Sequence, residues 1–221
     1  MAGENKVRPK GFRAVCENFW YHYKYHTLVL LFALAAVSVM VAQCTAKTDY
    51  DYTLVVAASS AELAPAQLEA LRTELTAYGD DLNGDGTVTV SLVDCTFNEK
   101  TSTYQVIMAK KQKLQAVLMN EEKVMLMISD RACFDWINGI TEEGFMEDIG
   151  LSEEDGRYFP LDGTGLISRV KADCADNLSW PEELRISRRR VSGTLLEKHK
   201  NIEDYVEKAE TFLNRLIEKN R

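Results

Sequence analysis

The run Val124-Met-Leu-Met-Ile128, followed by Asp130 and then Ala132-Cys-Phe-Asp-Trp-Ile137, decides how the chain is read. Five consecutive apolar residues are short for a helix, and no polar residue alternates with them. They predict a strand covered on both faces. Asp130 is a residue type that caps helix N-termini, and an apolar segment of helical length follows it. A fully buried strand that leads directly into a helix is the repeating unit of a parallel α/β sheet.

Upstream the same unit recurs. Asp51-Tyr-Thr-Leu-Val-Val-Ala-Ala58 is an apolar, β-rich run ended by Ser59 and Ser60. Pro65 then suits the first turn of a helix whose Leu68, Leu71, Leu75 and Tyr78 share a face, with Gly79 as its stop. Thr87 to Cys95 predicts a second strand, in which Val88, Val90 and Leu92 alternate with polar residues. Thr101 to Asn120 predicts a helix with Tyr104, Ile107, Met108, Leu114, Val117 and Leu118 as its apolar stripe. Downstream, Gly139 to Pro181 holds six of the twelve glycines, and loops with short helical pieces are expected there. Leu184-Arg-Ile-Ser-Arg-Arg-Arg-Val191 predicts a fourth strand near an edge, where its arginines reach water. Asn201 can cap a last helix, with Ile202, Tyr205, Val206, Ala209, Phe212, Leu213, Leu216 and Ile217 on one face. The expected fold is a three-layer α/β domain with a mainly parallel sheet of about four strands and a C-terminal amphipathic helix.

Charge divides the chain differently. The 221 residues carry a net charge of −8. Residues 1–26 hold Lys6, Arg8, Lys10, Arg13 and Lys24 against Glu4 and Glu17, a surplus of three positive charges. Thr27 to Ala46 has no charged residue over 20 positions. The remainder, 47–221, therefore carries −11. Twenty uncharged residues as a helix reach roughly 30 Å, the thickness of a bilayer's hydrocarbon core. Phe19-Trp-Tyr-His-Tyr-Lys-Tyr25 precedes them, the aromatic belt of a membrane interface. A retained single-pass anchor over 27–46 is expected. Residues 1–26 form a cytoplasmic basic and aromatic segment, and 47–221 form an extracytoplasmic domain at the cell membrane. Three other readings are weighed against it. A cleaved signal sequence would begin its apolar run nearer the start, a lipoprotein signal would place a small residue where Gln43 precedes Cys44, and a buried globular helix would carry charge. The acidic body argues against a nucleic-acid partner. Five cysteines are too few for a disulfide scaffold.

The lead Phe19-Trp-Tyr-His-Tyr-Lys24 ahead of a single span resembles a group of uncharacterised bacterial single-pass membrane proteins. The segments Tyr52 to Ala58, Tyr78 to Val90, Lys113 to Leu118 and Lys123 to Asp130 resemble the first lobe of extracellular solute-binding proteins. The resemblance covers roughly residues 50–137. It implies a solute-binding-like domain, but the 175 residues from Lys47 to Arg221 hold little more than one lobe, so hinge closure of two lobes around a ligand is not expected.

Candidate sites are few. Asp81-Leu-Asn83-Gly-Asp85-Gly86-Thr87 places oxygen ligands at positions one, three, five and seven and Gly at six, the first half of a calcium loop. The closing position is Leu92 rather than Glu. Asp81, Asn83, Asp85 and Thr87 are thus candidate ligands for a structural calcium ion, or else an Asx turn joining helix to strand. No other cofactor is expected. Cys95, Cys133 and Cys174 permit at most one bridge. Ser168-Arg-Val-Lys171 has Ser-x-x-Lys spacing without its companion motifs. Glu147, Asp148, Glu153, Glu154 and Asp155 form an acidic loop, and Arg188-Arg189-Arg190 could grip an anionic polymer or lie on a solvated edge. With no catalytic signature, the expected function is a membrane-anchored binding or scaffolding module with a membrane or cell-surface protein partner. The alternatives are a single-lobe solute-binding component of a transporter and a hydrolase with an unrecognised site.

Overall fold

A computed structural model describes residues 11–45, 50–150, 155–175 and 178–220. Glu4, Lys6, Arg8, Lys10, Ala46, Glu153 and Glu154 lie outside the described residues. The chain divides into two units, Met1–Asp49 and Tyr50–Arg221.

The first unit contains one helix, α1 (Phe12–Thr45). The stretch Phe19–Met40 within it, 22 residues, is long and apolar enough to cross a membrane. It begins eight residues before the expected span because Phe19 to Tyr25 add apolar surface of their own. Two hydroxyls in this helix are satisfied locally. Thr27 Oγ1 donates to the Tyr23 carbonyl at 3.0 Å and Ser38 Oγ to the Leu34 carbonyl at 2.8 Å, which removes the cost of placing them in an apolar medium.

The second unit is mixed α/β. Its strands are β1 (Tyr52–Ala57), β2 (Val90–Asp94), β3 (Val124–Ser129), β4 (Tyr158–Pro160) and β5 (Arg185–Arg188), in the order β2-β1-β3-β5-β4. Helices α2 (Pro65–Thr76), α3 (Tyr104–Asn120), α4 (Arg131–Asn138), α5 (Gly165–Ala172) and α6 (Ile202–Asn220) complete it, with a 3₁₀ turn at Leu195–Lys198. β2, β1 and β3 are parallel, whereas β5 pairs antiparallel with both β3 and β4. The sheet therefore has five strands of mixed direction, not about four that are mainly parallel.

Alternation along β1 divides the interior. Tyr52, Leu54 and Val56 join a core with α2, α5 and α6, while Val55 and Ala57 join a second core with α3 and α4. β1 is covered on both faces, which is why its sequence is apolar without a polar partner register. The β1–β3 register shifts between Thr53 and Leu54, so Met125 is an extra residue and both Met125 and Leu126 face the first core.

Helix boundaries follow local chemistry. Gln67 reaches back so that its Oε1 accepts from Ala64 N at 2.8 Å, and Pro65 fills the first turn of α2. Gly79 is not the stop of that helix, which ends at Thr76 without a left-handed residue. A Cβ at Gly79 would come within 2.7 Å of the Tyr52 ring and 2.9 Å of Val88, so the glycine is required for close approach. In α3, Leu114 and Leu118 are buried, but Tyr104 is 75% exposed and lies off the expected stripe.

Two expectations for the C-terminal half are corrected. Phe159 faces the first core inside the glycine-rich region, and its three-residue strand β4 covers the side of β5 that was expected to be an edge. Arg185, Arg188 and Arg189 are consequently buried. Arg188 Nη1 pairs with Glu210 on α6 at 3.0 Å, and Arg189 Nη1 donates to the Glu121 carbonyl at 3.1 Å while its guanidinium lies over the Phe145 ring. Burial pushes the Arg189 pKa down to about 10.

The connections from β1 to β2 and from β2 to β3 pass through α2 and α3 on opposite faces, so the ends of β1 and β3 form a topological switch point. Asp130 fills it. Its carboxylate, 3% exposed, accepts from Ser59 N (2.7 Å), Ser59 Oγ (3.2 Å), Ser60 N (3.0 Å) and Ser60 Oγ (2.9 Å) through Oδ2, and from Cys133 N (2.9 Å) through Oδ1. One side chain thus closes the β1 loop and caps α4. Asp130→Ala should lower unfolding stability by about 3–5 kcal/mol, because it strands several buried donors, whereas Ser60→Ala should cost about 1 kcal/mol. Urea midpoints for the two variants check the ranking.

Candidate functional site

The crevice that contains the most chemistry lies one strand further along the same edge of the sheet. It has a volume of about 490 Å³ and is walled by α4, the end of β4 and the start of β5. Ser129 and Pro160 both stand opposite Arg185 in register, so the ends of β3 and β4 and the beginning of β5 meet there. This is the carboxyl end of the parallel strands, where open α/β sheets bind ligands.

Arg185 is the centre of the crevice. Its residue is 8% exposed, yet it lines the cavity. The guanidinium stands 4.3 Å from the Tyr158 ring centroid and 5.6 Å from that of Phe134, and the two rings meet edge to face at 5.3 Å. Its Nε donates to the Glu183 carbonyl and its Nη2 to Glu183 Oε2, both at 3.3 Å. The aromatic box and Glu183 fix the orientation of a fork-shaped donor. Glu183 has φ of 52°, the one positive φ outside glycine among the described residues. That conformation costs on the order of 1–2 kcal/mol, and it occurs at the residue that holds Arg185.

The rim is mixed in charge. Arg131 lies 3.8 Å from Asp135 and 3.9 Å from Glu183, exposed pairs worth little in water. Asp155 is committed to Arg157 by two bonds of 2.8 and 2.9 Å, and this partner holds its carboxyl below the usual range. Asp162 Oδ2 accepts from Leu184 N at 3.1 Å. A second recess of about 530 Å³ is bounded by Glu143, Glu147, Asp148, Asp155, Arg157 and Arg190, among others. Its arginines are already paired, Arg190 with Glu143 at 2.8 Å and Arg157 with Asp155.

The structure brings the four candidate calcium ligands together in one loop, but their oxygens serve the backbone. Asp81 Oδ1 accepts from Gly84 N (2.7 Å) and Asp85 N (3.2 Å), and Asp81 Oδ2 accepts from Gly86 N (2.7 Å). Asn83 Oδ1 accepts from Asp85 N, and Asp85 Oδ1 accepts from Thr87 N and Thr87 Oγ1. Gly84 and Gly86, with φ of 77° and 87°, permit the reversals. Asp51, just before β1, braces the loop, accepting from Leu82 N, Asn83 N and Thr89 N. Burial alone raises the Asp51 pKa, but these bonds outweigh it and hold the carboxyl below its ordinary value. Among the described residues no three His, Cys, Asp or Glu side chains are grouped to hold a metal ion.

The remaining candidates separate. Ser168 Oγ donates to the Thr164 carbonyl at 3.0 Å, within its own helix, and Ser168 and Lys171 line none of these cavities. Arg188 and Arg189 are committed inside the fold, which overturns both the solvated edge and the anionic grip expected of them. Cys95, Cys133 and Cys174 are free thiols, with burial pushing Cys95 up to about 11 and Cys133 higher still. An edge strand over 184–191 would put Arg185 at the surface, whereas it is buried, and nothing local in the sequence marks Phe134 and Tyr158 as sharing a partner.

Asp81→Ala should lower stability by about 1 kcal/mol, or about 2–4 °C in Tm. Equal losses in EDTA and in excess calcium identify the backbone hydrogen bonds as the cause. A loss confined to calcium identifies a bound ion.

Compared with known proteins, the chain matches no family model, no curated protein and no solved structure.

Proposed function

We propose that the chain is a membrane-tethered binding module, with α1 as a single-pass anchor and the α/β unit displayed outside the cytoplasm, taking a small polar ligand in the crevice at the ends of β3 and β4. The observation that carries this reading is Arg185, a buried guanidinium boxed by Tyr158 and Phe134 and bordering a cavity of about 490 Å³. A binding arginine needs both the cavity and the rigid setting. A solute-binding role, presenting a ligand to a membrane partner, is favoured over a scaffold, whose surface would be expected to be convex.

The anchor rests on length, on composition and on the aromatic belt from Phe19 to Tyr25. The orientation rests on Arg13 and Lys24, which lie on the N-terminal side together with Lys6, Arg8 and Lys10, against the acidic remainder of the chain.

Two measurements test the parts separately. In intact cells a membrane-impermeant thiol reagent should reach a cysteine introduced at Arg221 and miss one introduced at Met1; the reverse pattern refutes the orientation. Pro160→Trp places a large ring at the exposed mouth of the crevice. The full chain in detergent, screened by thermal shift against a mixed set of amino acids, organic acids, amines and sugars, should give hits that Pro160→Trp abolishes and that Leu68→Trp, on α2 away from the crevice, leaves intact.

A further inference from the structure

The charge arrangement of the crevice narrows its ligand. Arg185 is more than nine-tenths buried, and both of its hydrogen bonds run to one residue, Glu183, at 3.3 Å. Its Nη1 donates to no described residue. A guanidinium has five N–H donors; Arg185 spends two on Glu183, with which it is ion-paired, and its Nη1 donors are not among the buried unpartnered atoms, so they are open to an acceptor in the cavity such as a carboxylate. A free anion nevertheless meets an unfavourable rim, because Asp135, Asp155, Asp162 and Glu183 outnumber Arg131 and Arg185. A simple cation is opposed in turn by Arg185 at the floor.

One rim carboxylate is available to relieve the conflict. Asp155 is occupied by Arg157, and Asp135 and Glu183 share Arg131. Asp162 forms no ion pair among the described residues, and its single bond is the one from Leu184 N. It is exposed, and Leu184 connects it directly to Arg185, so a buried positive group and an exposed negative one lie on either side of the same residue.

We infer that the crevice selects a small zwitterion, its carboxylate inward on Arg185 and its ammonium outward on Asp162. This deepens the binding reading above and depends on it. The aromatic rings are engaged with Arg185, so they shape the floor and orient the guanidinium, and the selection is electrostatic. The ligand's carboxylate adds to the one ion pair that Arg185 makes with Glu183, and its ammonium supplies the charged partner that Asp162 lacks among the described residues, so a molecule lacking either charge forgoes one of the two contacts.

The test uses the full chain in detergent micelles and isothermal titration with three sets of probes at about 10 mM, a concentration that detects even weak sites. The sets are the common neutral amino acids, the amines that correspond to them without the carboxylate, and the acids that correspond to them without the ammonium. At least one amino acid should bind at least about tenfold more tightly than its matched amine and acid. Asp162→Asn, which retains an acceptor for Leu184 N and so preserves the fold, should remove most of that preference, weakening the amino acid and leaving the acid bound at least as tightly as before, because one repelling rim charge is gone. Arg185→Gln should abolish binding of amino acid and acid alike, its folding checked by Tm. Acids that bind as tightly as amino acids, unaffected by Asp162→Asn, would overturn the zwitterion while leaving the crevice as an anion site. Amines that bind best would overturn it in favour of a cation site. No binding by any set would overturn both the inference and the crevice reading.

Discussion

The α/β unit depends on a buried carboxylate. Asp130 stands where the two crossover connections diverge, and it gathers the backbone and hydroxyls of Ser59 and Ser60 together with the first turn of α4. Without it, the loop after β1 would leave donors unsatisfied in a dry interior, and α4 would lose its cap. The position that open sheets reserve for ligands is here occupied by the protein itself. The open crevice lies at the next gap along the same edge, between β3, β5 and β4.

The parallel part of this arrangement was legible because burial imposes a pattern. β1 and β3 are covered on both faces and are almost wholly apolar; Leu71 and Leu75 on α2 and Phe212, Leu213 and Leu216 on α6 recur at helical spacing. β4 was not legible. Three residues, with Phe159 in one core and Tyr158 half-buried against the other, leave no periodicity to detect, and the strand exists because β5 offers it a partner. Missing it turned β5 from an interior strand into an edge and placed its arginines in water.

The same displacement hid the candidate site. An arginine reads as solvated unless something is known to cover it, and what covers Arg185 is Tyr158 on the unseen strand and Phe134 on a helix about 50 residues earlier. The calcium-like loop is the opposite case. Its residues were conspicuous in sequence, and the turn they form is real, but Asp81, Asn83 and Asp85 direct their oxygens at the loop's own N–H groups. Spacing that suits a cation also suits a tight turn, because both demand oxygens converging on a small space.

The cap that Asp130 places on α4 has a consequence for kinetics. α4 is an eight-residue helix fixed at its first turn to the β1 loop, and it presents Arg131, Phe134 and Asp135 to the crevice. That wall cannot shift without breaking buried hydrogen bonds, so a ligand of the proposed kind would meet a surface already shaped for it and cost the protein little conformational entropy on docking. The crevice remains open on its solvent side, where Asp162 lies. Under the proposed reading, entry and departure would require no closing motion, exchange with solvent would be fast, and residence time would be governed by how strongly Arg185 holds its end of the ligand.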